Sequence, residues 1–231
     1  MRVQMRLKVA LRILAVAGGC MMAASLGTPR ALAADKPLSI VALGDSLTAG
    51  YGLAAADAFP SKLQQALAAK GIAVTLANAG VSGDTTSGGL ARLDWSVPAG
   101  TDAVILELGA NDALRGIDPA VTRRALDGML SALARRGIPV LLCGMLSPPN
   151  LGADYGRAFN AIYPDLAKQY DALLYPFFLD GVAANPKLTQ PDGLHPTAAG
   201  VDVIVTRIMP KVEALIARVQ ARRQATNPSD K

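Results

Sequence analysis

Four short polar blocks punctuate the chain: Gly44-Asp45-Ser46-Leu47-Thr48-Ala49-Gly50-Tyr51-Gly52, Asn78-Ala79-Gly80-Val81-Ser82-Gly83-Asp84-Thr85, Gly109-Ala110-Asn111-Asp112 and Asp192-Gly193-Leu194-His195-Pro196. A serine hydroxyl is a poor nucleophile at neutral pH and needs a neutral imidazole within hydrogen-bond reach to take its proton. His195 is the single histidine among 231 residues, so no other imidazole can serve Ser46. The ring's second nitrogen needs an acceptor, preferably a carboxylate that also stabilises the imidazolium. Asp192, three residues before His195, can turn back against the ring in a tight loop, and Gly193 allows the bend. An acyl carbonyl attacked by Ser46 would become an oxyanion; the backbone N–H groups of Ser46 and Gly83 and the side-chain amide of Asn111 are candidate donors to it. Taken singly, each residue has a plainer reading. Ser46 could be a helix cap, Gly83 a turn glycine with Asp84 capping the next helix, Asn111 a loop stabiliser and His195 a surface histidine. Asp45 and Asp112 are expected to bond neighbouring backbone and hold the loops.

Stepping from these blocks to what must carry them, short apolar runs at Leu38–Leu43, Ala73–Ala77, Ala103–Leu108, Val140–Gly144 and Leu173–Tyr175 read as strands. Helix candidates lie between or after them at Phe59–Lys70, Gly88–Leu93, Pro119–Arg136, Ala158–Tyr170 and Thr197–Arg222. In the third, Val121, Ala125, Leu126, Met129, Leu130 and Leu133 recur at helical spacing between charged residues. Pro119 suits its first turn and Gly137-Ile138-Pro139 its end. Strand and helix alternating in this way imply an α/β fold with a parallel sheet and helices on both faces. Functional residues of such folds gather at the carboxyl ends of the strands, where three of the polar blocks fall. Tyr51, Phe59, Trp95, Leu114 and the stretch Ser147-Pro148-Pro149-Asn150-Leu151 are candidates for contact with an acyl group there.

The four blocks, in this order and spanning Gly44 to Pro196, resemble those of the GDSL hydrolases, also called the SGNH family. Ser46, Gly83, Asn111 and His195 match the family's named positions, and Asp192 matches its third triad member. The longer stretches Gly89-Leu90-Ala91-Arg92-Leu93 and Asn111-Asp112-Ala113-Leu114-Arg115-Gly116 are similar to the periplasmic thioesterase, lysophospholipase and arylesterase group. The resemblance implies a three-layer flavodoxin-like fold with about five strands and hydrolysis of acyl esters or thioesters without a cofactor. It also implies that Leu114 and Arg115, in the loop after the Asn block, contact substrate. The same machinery could instead remove O-acetyl groups from a carbohydrate, or persist as a binding protein on the scaffold. The residues around Ser46 differ from the Gly-x-Ser-x-Gly elbow of the larger α/β-hydrolase class. Gly80 to Gly89 lacks the Gly-Lys-Ser/Thr ending of a phosphate cradle.

Charge narrows the field further. The formal net charge of +5 and the basic pI would suggest nucleic acid or an anionic surface. Yet Arg2, Arg6, Lys8, Arg12 and Arg30 all precede the first acidic residue, Asp35. With the apolar stretch from Ile13 to about Leu26 and the Ala31-Leu32-Ala33 pattern, they read as a signal peptide of residues 1–33. The apolar stretch is short for a membrane anchor, and Ala17 stands where a lipidation signal at Cys20 would prefer Leu. Taking those five cations from 23 leaves 18 basic residues against 18 acidic ones. The expected mature protein is therefore electrically balanced, periplasmic or secreted, without a nucleic-acid partner. It comprises a hydrolase-like domain of residues 34–224 and a polar tail of residues 225–231. Cys143 then has no disulfide partner and reads as a buried hydrophobe, and one histidine with one thiol is too few for a His/Cys zinc site.

Overall fold

The computed structural model describes residues 36–226; the leader read at residues 1–33 and residues 227–231 of the tail read at 225–231 lie outside the described residues, while Ala225 and Thr226 continue the last helix. Five strands form one parallel sheet: β1 (Leu38–Gly44), β2 (Val74–Gly80), β3 (Ala103–Glu107), β4 (Val140–Cys143) and β5 (Leu173–Tyr175), in the order β2-β1-β3-β4-β5. The inner strands β1, β3 and β4 are buried almost throughout, as unbroken apolar runs covered on both sides must be. Edge strand β2 alternates between half-buried and exposed positions along Val74–Ala77, and its Leu76 N–H donates to Gln64 Oε1 at 2.7 Å.

Around the sheet lie α1 (Ser46–Ala49), α2 (Phe59–Ala69), α3 (Thr86–Ala91), α4 (Leu93–Ser96), α5 (Ala110–Leu114), α6 (Pro119–Arg135), α7 (Ala153–Asn160), α8 (Ile162–Gln169) and α9 (Ala198–Thr226). Helix α2 packs with α9, while α3, α7 and α8 pack with α6, giving a helical layer on each face as the parallel crossovers require. The α6 stripe of Ala125, Leu126, Met129, Leu130 and Leu133 is buried as its spacing predicts, and Asp118 caps the helix by accepting from the Ala120 N–H at 2.8 Å.

The register decides where the loops emerge. Gly44 stands opposite both Gly80 and Glu107, Glu107 opposite Cys143, and Cys143 opposite Tyr175. All five strands end in one row, so the segments that follow leave from a single edge. The Asn78-Ala79-Gly80 piece, expected in a loop, continues β2 because Ala42, Leu43 and Gly44 remain available to pair with it. The expected helix Ala158–Tyr170 is two helices, α7 and α8, with Ala161 between them. Pro164 has no N–H to offer the Asn160 carbonyl, so the helical ladder cannot run through.

Candidate active site

Ser46 is the first residue of α1, immediately beyond the end of β1. Asp45 caps that helix by accepting from the Leu47 N–H at 3.0 Å. The helix doubles back tightly on the strand: a Cβ at Gly44 would stand 2.0 Å from Thr48 Oγ1, so only glycine fits. Gly50, at φ 83°, ends the helix, and the Gly50 and Tyr51 N–H groups both donate to the Ser46 carbonyl at 3.1 Å.

The Asp192–His195 segment is a turn closed by pairing of Thr189 with Pro196, with Gly193 at φ 70°. Asp192 Oδ1 accepts the N–H groups of Leu194 at 2.9 Å and His195 at 3.0 Å, while Oδ2 lies 2.6 Å from His195 Nδ1. These bonds, the backbone ones foremost, hold the Asp192 carboxyl at a pKa of about 2. Across the ring, His195 Nε2 lies 2.9 Å from Ser46 Oγ. The hydrogen-bond pattern suits the tautomer with its proton on Nδ1, leaving Nε2 to accept from the serine hydroxyl. Gln190 ties the two segments together: its Nε2 donates to the carbonyls of Tyr51 at 2.8 Å and Pro196 at 3.0 Å. The Tyr51 ring lies against the imidazole with centroids 4.5 Å apart.

Gly83, at φ 82°, turns the chain after β2, and Asn111 lies in the first turn of α5 after β3. Asn111 Nδ2 donates to Asp84 O at 3.0 Å and Asp45 Oδ2 at 3.2 Å, which aims the amide at the Ser46 loop. Among the described residues no acceptor takes the backbone N–H of Ser46 or of Gly83. Arg115 folds over the same turn and donates from Nη2 to Gly83 O at 2.7 Å; Leu114 beside it is 51% exposed. Asp112 is buried, accepting from the Thr86 N–H and from the hydroxyls of Thr86 and Thr122, so it braces α5 against α3 and α6.

A second carboxylate lies under Asp45. Glu107, fully buried at the end of β3, accepts at Oε2 from Thr48 Oγ1 at 2.7 Å and from the Asp45 N–H at 3.4 Å. Its Oε1 is buried without a partner among the described residues. Burial, helped by the neighbouring Asp45, pushes the Glu107 carboxyl well above the usual carboxylate range, and burial also raises Asp45 to about 6. Sequence reasoning passed over Glu107; its signal was a lone acid inside the apolar run Ala103–Leu108. Arg92, named there only within the Gly89–Leu93 stretch and given no role, is buried between α3 and α4. Nor does Asp84 cap α3: Thr85 does, accepting from the Gly88 N–H at 3.2 Å, while Asp84 pairs with Arg92 Nε at 2.7 Å.

The sequence profile described as the GDSL-like Lipase/Acylhydrolase family matches residues 42–203, a span that contains every residue of this arrangement. The chain belongs to that family. It is 44% identical over 158 residues to an arylesterase of Vibrio mimicus, covering 68% of this chain and 79% of that protein. It is 38% identical over 190 residues to thioesterase 1/protease 1/lysophospholipase L1 of Escherichia coli (strain K12), covering 82% and 88%. The crystal structure of AlinE4, an SGNH-hydrolase family esterase, is 50% identical in sequence and superposes with a TM-score of 0.66, covering 78% of this chain and 96% of that one.

One expected acyl contact of this GDSL-family chain is corrected by the structure. Phe59 is fully buried, edge-on to Phe178 with centroids 5.0 Å apart, because α2 turns its first residue into the core. Trp95 is 73% exposed, on α4 beside Ser96, whose Oγ accepts from Arg92 Nη1 at 3.0 Å. Cys143 is fully buried, and burial pushes its thiol well above the usual range. A cavity of about 140 Å³ opens between Ile138, Val140, Tyr170 and Arg218, toward the amino edge of the sheet. Among the described residues no helix is long and apolar enough to cross a membrane.

Proposed function

We propose that Ser46, His195 and Asp192 run the ester-hydrolase chemistry of this family, on acyl esters or thioesters. The observation that carries the reading is one unbroken chain of contacts, Ser46 Oγ to His195 Nε2 and His195 Nδ1 to Asp192 Oδ2, beside unpaired N–H groups at Ser46 and Gly83. Ser46 Oγ bonds to the acyl carbon as its proton passes to His195 Nε2, and the carbonyl oxygen becomes an oxyanion. The Ser46 and Gly83 N–H groups receive that charge, and the Asn111 amide joins them by giving up its 3.2 Å bond to Asp45 Oδ2. Collapse breaks the bond to the leaving oxygen or sulfur, which takes the proton from His195. Water, deprotonated by the same imidazole, then attacks the acyl-enzyme and restores Ser46. Asp192, ionised down to about pH 2, keeps the ring oriented and stabilises it when charged. The carboxylates beneath, Asp45 and Glu107, hold loops and exchange no proton with substrate.

The acyl group lies over an apolar rim. Among the described residues the exposed large hydrophobic side chains include Tyr51, Val81, Leu114, Leu146 and Leu194, each on a different segment near Ser46 at the carboxyl edge. Leu114 and Arg115 are the substrate contacts in this reading. The names of the relatives, arylesterase and thioesterase 1/protease 1/lysophospholipase L1, support a small acyl ester or thioester as substrate. The leader-like residues 1–33 support export to the periplasm or beyond, with removal of the leader and a domain of residues 34–224 remaining.

Mass spectrometry after treatment with an aryl phosphonate tests the nucleophile, with adduct formation expected on Ser46 and absent in Ser46→Ala. Parallel assays on an aryl acetate, a long-chain acyl thioester, a lysophospholipid and an acetylated sugar define the acyl class. A protein that neither forms the adduct nor turns over any of these would be a binding protein on the scaffold.

A further inference from the structure

Arg92 closes a set of hydrogen bonds that the chemistry above does not use. It is 7% exposed, and its guanidinium reaches four groups. Nε donates to Asp84 Oδ2 at 2.7 Å, Nη1 to Ala79 O at 2.9 Å and Ser96 Oγ at 3.0 Å, and Nη2 to Gly44 O at 2.8 Å. Two of these partners are carbonyls at the ends of adjacent strands, the last of β1 and the last but one of β2, and a planar fork of donors can span them where a single ammonium cannot. The Gly44 carbonyl also accepts the Val81 N–H at 3.1 Å, which pins the start of the Gly83 turn to the strand that delivers Ser46. Asp84 is seated against α3 in a space that glycine alone leaves open: a Cβ at Gly88 would lie 1.8 Å from Asp84 Oδ1.

The three oxyanion donors surround this pair. Ser46 follows Gly44 by two residues, Gly83 adjoins Asp84, and Asn111 donates to the Asp84 carbonyl at 3.0 Å. We propose that the pair of buried Arg92 with half-buried Asp84 is a positioning device for the oxyanion hole, fixing the relative placement of the Ser46, Gly83 and Asn111 donors. The proposal rests on the reading of those donors given above. Its physical basis is that preorganised donors stabilise a developing charge only while they stay aimed at it, and a misplacement of about 1 Å costs about 10²-fold in rate. Stability alone does not call for such a pair, since well-packed apolar residues generally serve a core as well as buried ions do.

The test uses Arg92→Lys, which keeps the charge and loses the fork, and Asp84→Asn, which keeps the volume and weakens the pairing. Each is made alone and combined with Asn111→Ala, and kcat, KM and the thermal midpoint are measured on an aryl acetate. For a positioning role, kcat falls about 10- to 10²-fold in each single variant with KM within about threefold. The cost of Asn111→Ala also shrinks in both backgrounds, because the donor it removes is already displaced. Folded variants with kcat within about twofold of the parent, or an Asn111→Ala loss that multiplies undiminished, overturn the proposal. So does failure of both variants to fold, which assigns the pair to global stability. If Asn111→Ala alone costs nothing, the donor reading itself falls and this inference with it; a costly Asn111→Ala beside a neutral Arg92→Lys overturns this inference only.

Discussion

His195 Nε2 stands 2.9 Å from Ser46 Oγ although 149 positions separate the two residues. The approach is held from both sides. Gln190 donates to the carbonyl of Tyr51 and to that of Pro196, so the segment after Ser46 and the turn carrying His195 share one side chain. The Tyr51 ring lies against the imidazole, tilted by 36°.

Replacing Ser46 or His195 by Ala is expected to lower kcat by about 10⁴- to 10⁶-fold. Asp192→Asn, which keeps the shape but no longer fixes the ring's tautomer, should cost about 10²- to 10⁴-fold. The thermal midpoint should move little, because none of the three side chains packs in the core. Steady-state kinetics on an aryl acetate with thermal melts decides the matter, and a Ser46→Ala protein with most of its activity would sink the mechanism.

Asn111→Ala should reduce kcat by about 10²- to 10³-fold, roughly 3 to 4 kcal/mol of transition-state stabilisation. The amide also bonds Asp45 and the Asp84 carbonyl, so a stability loss of about 1 kcal/mol should accompany it. If KM rises while kcat holds, Asn111 contacts the ground state and is no oxyanion donor.

Glu107→Gln should change how stability depends on pH. Burial raises the carboxyls of Glu107 and Asp45 in the folded protein, Asp45 to about 6, so the folded chain binds these protons more tightly than the unfolded one. Their contribution is therefore full below the ordinary carboxylate range and is lost as pH rises through the folded values. A glutamine still accepts from Thr48 and carries no charge to bury. Its thermal midpoint should gain on the parent by a few degrees between pH 5 and 8, at about 2 to 4 °C per kcal/mol for a domain of this size. Parallel melting curves across that range would show that Glu107 carries no such penalty.

Leu114→Ala and Leu146→Ala should raise KM for a decanoyl ester about 5- to 10-fold and leave an acetyl ester unchanged, since each removes apolar area only a long chain can cover. Equal effects on both esters would place these side chains outside the acyl path.

Strand positions, helix α6 and the order of the polar blocks were legible in the chain because they depend on local information: apolar runs, helical spacing and turn residues. The same holds for the candidate pairing of Asp192 with His195, which three residues and a glycine suffice to form. Helices α1 and α5 escaped because four or five residues are too few to show a period. Phe59 reads from the sequence as a core residue or a ligand contact, and Phe178, far along the chain, settles which. What the sequence alone determined is the inventory: one histidine, one serine block to receive it, and equal numbers of acidic and basic residues beyond the leader-like residues 1–33. The tertiary structure decided what lies beneath. Glu107 meets Thr48 across 59 positions, and Arg92 meets the Gly44 carbonyl across 48. Contacts at such separations are set by strand register and by which buried polar groups must find partners, and neither is written in any local stretch of residues.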